Sequence, residues 1–178
     1  MLQKLALCLA MSLSLSPSIL AQEEAPKDAR VAISALEFLV GNWAGPGTSY
    51  RTNGTQTHYH DTEYVRFDLD QKVLLINAAG QDDDGGTIYA LHTIIYYDVD
   101  AGHYIYTPYS GRAPRSFHCQ LEDSPKLLCL NAAEDYRLTF QRLPDGQWNE
   151  FGERLADGAW SKSFETILLP AEPAPETD

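Results

Sequence analysis

Nine clusters of turn-forming residues cut the segment 42–169 into short runs, and this punctuation constrains the fold more than any other feature. The first is Asn53-Gly54, a strong two-residue hairpin signal. Asp68 to Gln71, Asp82-Asp83-Asp84-Gly85-Gly86, Asp98 to Gly102 and Gly111 to Pro114 follow. Asp123 to Pro125, Glu134-Asp135, Pro144-Asp145-Gly146 and Asp157-Gly158 complete the series. The runs between them are rich in Tyr, Ile, Val, Thr and Phe, which suit a half-buried pleated surface. A spacing of about 12 residues therefore gives about ten strands, each joined to the next by a short loop. Short loops make neighbouring strands antiparallel. Ten such strands lose their open edges most simply by closing into an up-and-down barrel; a flat two-sheet sandwich is the alternative. The fold class is all-β, an antiparallel barrel preceded by one short helix.

That helix is expected over Ala32 to Val40, where Ala35, Leu36, Leu39 and Val40 fall on one face and Gly41 ends the run. A single helix before a meander has a use: it covers one open end of the barrel. Trp43 follows at once, among Gly41, Gly45 and Gly47. Its ring is placed to plug the covered end, and the glycines permit the sharp start and the curvature that closure requires. These four residues are expected to be structural.

The ends of the chain read differently. Residues 1–21 carry Lys4, then an apolar run of about 12 residues, then small residues up to Ala21. This is the layout of a secretory signal peptide, and the run is short of the roughly 20 residues needed to span a bilayer. Residues 22–30 and 170–178 are rich in Pro, Ala and acid and read as a disordered linker and tail, leaving a domain at 31–169. The protein is thus expected to be exported, to the periplasm or beyond, with no integral membrane segment after cleavage. The net charge of −12 leaves no basic patch for phosphates, which argues against nucleic acid as a partner.

Cleavage would remove Cys8 and leave Cys119 and Cys129, expected to pair in an oxidising compartment. The segment SFHCQLEDSPKLLCLN reads as strand, turn, strand. Pairing about Asp123-Ser124-Pro125 sets Glu122 opposite Lys126, Leu121 opposite Leu127 and Cys119 opposite Cys129.

A barrel binds ligands in its lumen, so inward-facing polar side chains are the candidate site. In the last hairpin a two-residue turn at Asp157-Gly158 sets Leu155 opposite Trp160, Glu153 opposite Lys162 and Phe151 opposite Phe164. That face is more apolar than the one holding Glu150, Gly152, Arg154, Ser161, Ser163 and Glu165, so it is expected to point inward, with Glu153 and Lys162 as an ion pair. Arg66, His60 and His92 join Glu153, Lys162, Phe151, Phe164 and Trp160 as lumen candidates. His58 and His60 share a face at chelating spacing, but no third metal ligand is visible, and Asp82-Asp83-Asp84 does not complete an EF-hand loop. Tyr89, Tyr96, Tyr97, Tyr104, Tyr106 and Tyr109 crowd the central strands, as packing or as lumen hydroxyls. No Gly-x-Ser-x-Gly nucleophile motif occurs, and no catalytic residue or metal site is assigned.

Gly41-x-Trp43-x-Gly45-x-Gly47 resembles the opening signature of lipocalin-like proteins of the calycin superfamily, nearest the nitrobindin-like branch and its exported bacterial relatives of unknown function. Trp148-Asn-Glu-Phe-Gly-Glu153 and Asp157-Gly-Ala-Trp160 are similar to the close of such domains. The resemblance covers about residues 36–169. It implies a lipocalin- or fatty-acid-binding-protein-like barrel that takes a small apolar or amphipathic molecule. Nitrobindin-like proteins that hold haem use a histidine of the final strand, where this chain has Glu165-Thr-Ile-Leu-Leu-Pro170. Haem would therefore need an upstream histidine from another wall. Phenolic acid decarboxylase, an enzyme of the superfamily, uses Tyr, Arg and Glu in such a lumen, and Arg66, Arg115 and Glu153 are the residues that could join tyrosines here. The expected function is binding without catalysis, with a haem barrel or a lumen enzyme for a phenolic or lipid-like substrate as alternatives.

Overall fold

The structure, a computed structural model, describes residues 26–122 and 125–172. The expected signal peptide, the start of the linker, the end of the tail, and Asp123 and Ser124 lie outside the described residues.

Helix α1 (Ala29–Ser34) starts where Asp28 accepts the Arg30 N–H at 2.8 Å. It begins inside the segment expected to be linker. The run expected as one helix to Val40 is split. Leu36 leaves helical geometry at φ −90°, ψ 10°, and a 3-10 turn (Glu37–Leu39) follows. Ala32, Ile33, Leu36 and Leu39 are fully buried, whereas Ala35, expected on the same apolar face as Leu36 and Leu39, is exposed and Val40 is half-buried.

Ten strands then follow in meander order: β1 (Gly41–Tyr50), β2 (Gln56–Asp68), β3 (Val73–Gln81), β4 (Thr87–Asp98), β5 (His103–Tyr109), β6 (Phe117–Glu122), β7 (Lys126–Asn131), β8 (Tyr136–Arg142), β9 (Trp148–Ala156) and β10 (Ala159–Pro170). Each pairs antiparallel with its sequence neighbours, and β1 also pairs with β10, so the sheet is a closed barrel. The nine turn clusters fall in the nine connections. Asn53-Gly54 sits in a longer loop than a two-residue hairpin, with the Arg51 N–H bonded to the Thr55 carbonyl at 2.9 Å. Asp157-Gly158 is a tight two-residue turn, with φ of 51° and 77° as a type I′ hairpin needs.

The glycines around Trp43 have separate uses. Gly41 turns the chain into β1 at φ 143°, a conformation that L side chains rarely adopt. At Gly45 an added Cβ would lie 2.0 Å from the Ile167 carbonyl oxygen, so the β1–β10 seam closes only over a bare backbone. The space beside Gly47 is filled by the Tyr59 ring. Trp43 itself, 4% exposed, plugs the helix-covered floor. Its indole N–H donates to the Leu39 carbonyl at 2.9 Å, its ring meets Trp148 edge-on at 5.7 Å, and the Arg142 guanidinium lies 4.3 Å from its ring centroid.

Cys119 and Cys129 are opposed on β6 and β7 and disulfide-bonded, with Glu122 opposite Lys126 and Leu121 opposite Leu127, as the spacing predicts. Both are fully buried. Replacing the pair by alanine is expected to lower stability by about 2–3 kcal/mol, from the closure entropy of so short a loop. Urea unfolding of the double variant checks this; an unchanged midpoint would contradict it.

Candidate functional site

Exposure alternates along β2. His58, His60, Thr62 and Tyr64 face solvent, while Tyr59, Asp61, Glu63 and Val65 are buried. The inner face of β2 therefore carries two acids and a tyrosine into the barrel. Beyond β1 and β10 in the ring, β9 brings Trp148, Glu150 and Gly152 inside, and Arg154 stands further up the same face. Above the tryptophan floor these strands enclose a cavity of about 320 Å³. Ile76, Ala78, Ile88, Leu91, Phe140 and Phe164 give its lining an apolar part. Interleaved with them are Glu63, Glu150, Thr93, Ser163, Tyr59, Tyr89, Tyr106, Tyr136 and Arg154, so that Leu91 and Thr93 share β4 and Phe140 and Tyr136 share β8. The volume lies at the small end of the roughly 300–1,000 Å³ that small-molecule pockets span.

Burial sets the electrostatics. Glu150 is pushed up to about 8, first by desolvation and then by the negative field of Asp61. Glu63, which donates to Glu150, is held well above the usual carboxylate range by burial and by its two acidic neighbours. Desolvation also raises Asp61, against the hydrogen bonds of Tyr89, Thr166 and the Thr62 backbone, which favour its ionised form. With Thr166 donating to Asp61, Tyr59 donates to Thr166 across 3.2 Å. The phenols of Tyr59, Tyr89 and Tyr106 are pushed up by burial and remain hydrogen-bond donors at any physiological pH. Tyr136 is raised likewise and meets the Ser163 hydroxyl at 2.9 Å. Among the described residues two buried side-chain atoms have no hydrogen-bond partner, Asp61 Oδ1 and Trp148 Nε1. At neutral pH the glutamate pair is therefore a pair of acids, able to donate as well as accept.

Of the eight residues expected in the lumen, Phe164 lines the cavity. The others stand on the outer wall. The last hairpin begins as expected, with Leu155 opposite Trp160 and Glu153 opposite Lys162. A β-bulge between Lys162 and Phe164 then inserts Ser163, so Phe164 pairs with Gly152 rather than Phe151. The bulge reverses the facing. Phe164 turns inward, while Phe151, Glu153, Trp160 and Lys162 stay outside. The expected Glu153–Lys162 ion pair is replaced by two others. Glu153 accepts from Arg137 at 2.6 Å, and Lys162 pairs with Glu165. The Arg137 guanidinium covers Trp160 at 4.3 Å, and the Lys162 ammonium lies 5.2 Å from the Phe151 ring centroid. Arg66 pairs with Asp68 at 2.7 Å, His60 is exposed, and His92, also exposed, bonds Asn77 at 2.6 Å. The central tyrosines divide: Tyr89 and Tyr106 reach the cavity, Tyr97 and Tyr104 pack near the floor, and Tyr96 and Tyr109 are exposed.

Asp61, Glu63, Glu150, Tyr59 and Tyr136 escape the sequence reading. On β2 both faces are polar, and only Val65 and Phe67, at the same parity as Asp61 and Glu63, mark the inner one. On β9 the marker is Trp148, which shares its face with Glu150.

A haem in the lumen would need an axial ligand there. All five histidines lie on the outer wall: His58 bonds Thr48 at 3.1 Å, and His103 stacks on His118 at 4.7 Å. The residues present do not fit a histidine-ligated haem. Among the described residues no group of three or more His, Cys, Asp or Glu is arranged to hold a metal ion.

The raised carboxyls have a consequence for stability. A carboxyl whose folded pKa lies above its unfolded value keeps its proton longer in the folded state. Its favourable contribution is full below about 4.5 and is lost as pH rises toward 8. Stability is expected to fall by on the order of 1 kcal/mol per pH unit across that window. Glu150→Gln should flatten the slope and match or exceed the wild type at pH 8. Urea titrations at pH 5.5 and 8 test this; a wild type more stable at pH 8 would contradict it.

No protein-family model matches the chain, and no curated protein sequence matches it. Among solved structures, Rv2717c from M. tuberculosis superposes with a TM-score of 0.59 over 82% of this chain and 100% of its own, at 12% identity. The siderocalin Ex-FABP matches at a TM-score of 0.37 and 12% identity, over 78% of each chain. At such identity the likeness to Rv2717c is one of fold alone, and the fold of this chain is a closed ten-stranded antiparallel barrel.

Proposed function

We propose that the protein is an exported carrier or receptor for a small amphipathic molecule, held in the barrel lumen without chemical change. The observation that carries this reading is the mixed lining of the cavity: aliphatic and phenyl groups interleaved with hydroxyls and neutral carboxyls. A ligand with an apolar body and one polar end satisfies both, since an apolar molecule alone would leave the buried polar groups without compensation. Export is supported by the signal-like sequence of residues 1–21 and by a buried disulfide of the kind that persists in oxidising compartments. No helix among the described residues is long and apolar enough to cross a membrane.

One observation favours a second reading. Glu150, pushed up to about 8 and bonded to Glu63, is suited to give and take a proton near neutrality. A lumen enzyme for a phenolic or lipid-like substrate would use it as general acid. Turnover abolished by Glu150→Gln would promote that reading over simple binding.

The binding reading is tested by filling the lumen. Ala78 lines the cavity from β3, and Ala78→Phe places a ring there at an overpacking cost of about 1–3 kcal/mol. The small fluorescent phenol 2-naphthol is expected to bind the wild type saturably, one per chain, and to bind the folded variant at least about tenfold more weakly, since the ring removes its contact surface. Equal binding by both would contradict a lumen site.

A further inference from the structure

The deep end of the cavity, just above the tryptophan floor, is acidic, and no buried base among the described residues balances it. Asp61, Glu63 and Glu150 are 1%, 5% and 8% exposed. Glu63 and Glu150 line the cavity and bond each other. Asp61 stands on the inner face between Tyr59 and Glu63, both cavity-lining, and its Oδ1 has no partner. A buried carboxyl left in this condition costs stability that an apolar side chain would not, so its use is sought in what enters the cavity. Resting on the binding reading above, we infer that the deep end of the lumen is a cation site, and that the ligand is a primary or secondary amine on a small aryl or alkyl body.

The remaining charged and titratable groups around the pair do not supply that cation. Tyr59 on β2, Tyr89 on β4, Tyr106 on β5 and Tyr136 on β8 are neutral donors. His60 acts on Asp61 only from the outer wall. Arg154 on β9 is exposed and lies 5.8 Å from the Tyr136 ring centroid. Arg112 and Arg115 on the β5–β6 loop are exposed and line a wide opening that reaches Tyr136 and Glu150. These solvated arginines act through screening water, whereas the carboxyls of the deep end act across desolvated space, where a charge pair is far stronger. An ammonium group reaching the deep end meets carboxyl oxygens with the aryl or alkyl body against Leu91, Phe140 and Phe164. Because the glutamate pair holds its protons in the empty lumen, the bound ammonium displaces one of them to solvent. The ammonium keeps its own protons and donates them to the carboxylate formed.

The test uses three isosteric probes on the full mature protein: 2-phenylethylamine, 2-phenylethanol and 3-phenylpropanoate. By calorimetry the amine is expected to bind tightest at pH 8. Its Kd should improve about tenfold between pH 6 and pH 7, the slope for release of one proton from a group titrating near 8. Heats measured in phosphate and Tris buffers should differ by the same proton. The alcohol should show no such slope. Glu150→Gln and Glu63→Gln should each weaken the amine by at least about tenfold and leave the alcohol within about twofold. Because the pH slope is read on the wild type, the test stands if a variant fails to fold. Equal binding of amine and alcohol, or an amine Kd independent of pH, overturns the cation site and leaves lumen binding intact. Preference for the carboxylate overturns it and assigns the polar contact to the rim arginines. Failure of all three probes while 2-naphthol binds overturns the cation site alone; failure of 2-naphthol as well removes the lumen reading with it.

Discussion

Closure of β1 onto β10 is the contact on which the rest of the molecule depends. Ten antiparallel strands in a meander leave two long edges, and unpaired edges invite aggregation. Here those edges meet each other, and the seam is close enough that Gly45 has no room for a side chain against the Ile167 backbone. Closure also divides the environment in two. The inner face of the sheet is largely withdrawn from water, and what stands there must pack or find a partner. The floor solves this by packing, with Trp43, Trp148 and the buried face of the N-terminal helical segment. The lumen just above it does not: acids and hydroxyls stand where a purely structural barrel would place aliphatic side chains.

Those acids lower stability at neutral pH. Desolvation alone would push each carboxyl up, and three within one lumen repel one another if ionised, so the glutamate pair stays protonated where an exposed glutamate would not. Asp61 takes a different course, with Tyr89 and Thr166 donating to one side and an oxygen left bare on the other. Groups that oppose folding and gather in a cavity are more readily understood as a site than as packing. The same desolvation that makes them costly makes any charge they meet count heavily.

Much of the fold was legible because turn chemistry is local. Asn, Asp and Gly stand where the chain reverses, and nine reversals of short runs leave little besides a meander. The Cys119–Cys129 register followed from symmetry about one turn. The interior of the site was not legible, for two physical reasons. On β2 the residues His58 to Tyr64 are polar or amphipathic on both faces, so alternation carries no sign until Val65 and Phe67 are counted. In the last hairpin the two-residue turn does set the first pairs, Leu155 with Trp160 and Glu153 with Lys162. A single inserted residue, Ser163, then exchanges inside for outside, and no local pattern announces a bulge. The more apolar face was outside because Trp160 and Phe151 are covered there by Arg137 and Lys162, whose stems and charges shield the rings.

The central claim is that the lumen holds neutral glutamates at physiological pH. Carbon-13 NMR of protein labelled at the glutamate side-chain carboxyl reads this directly. One resonance is expected to titrate near pH 8 and to vanish in Glu150→Gln, with a second, from Glu63, still protonated well above the usual carboxylate range. A spectrum in which every glutamate carboxyl titrates in the ordinary range near 4–5 would contradict the account.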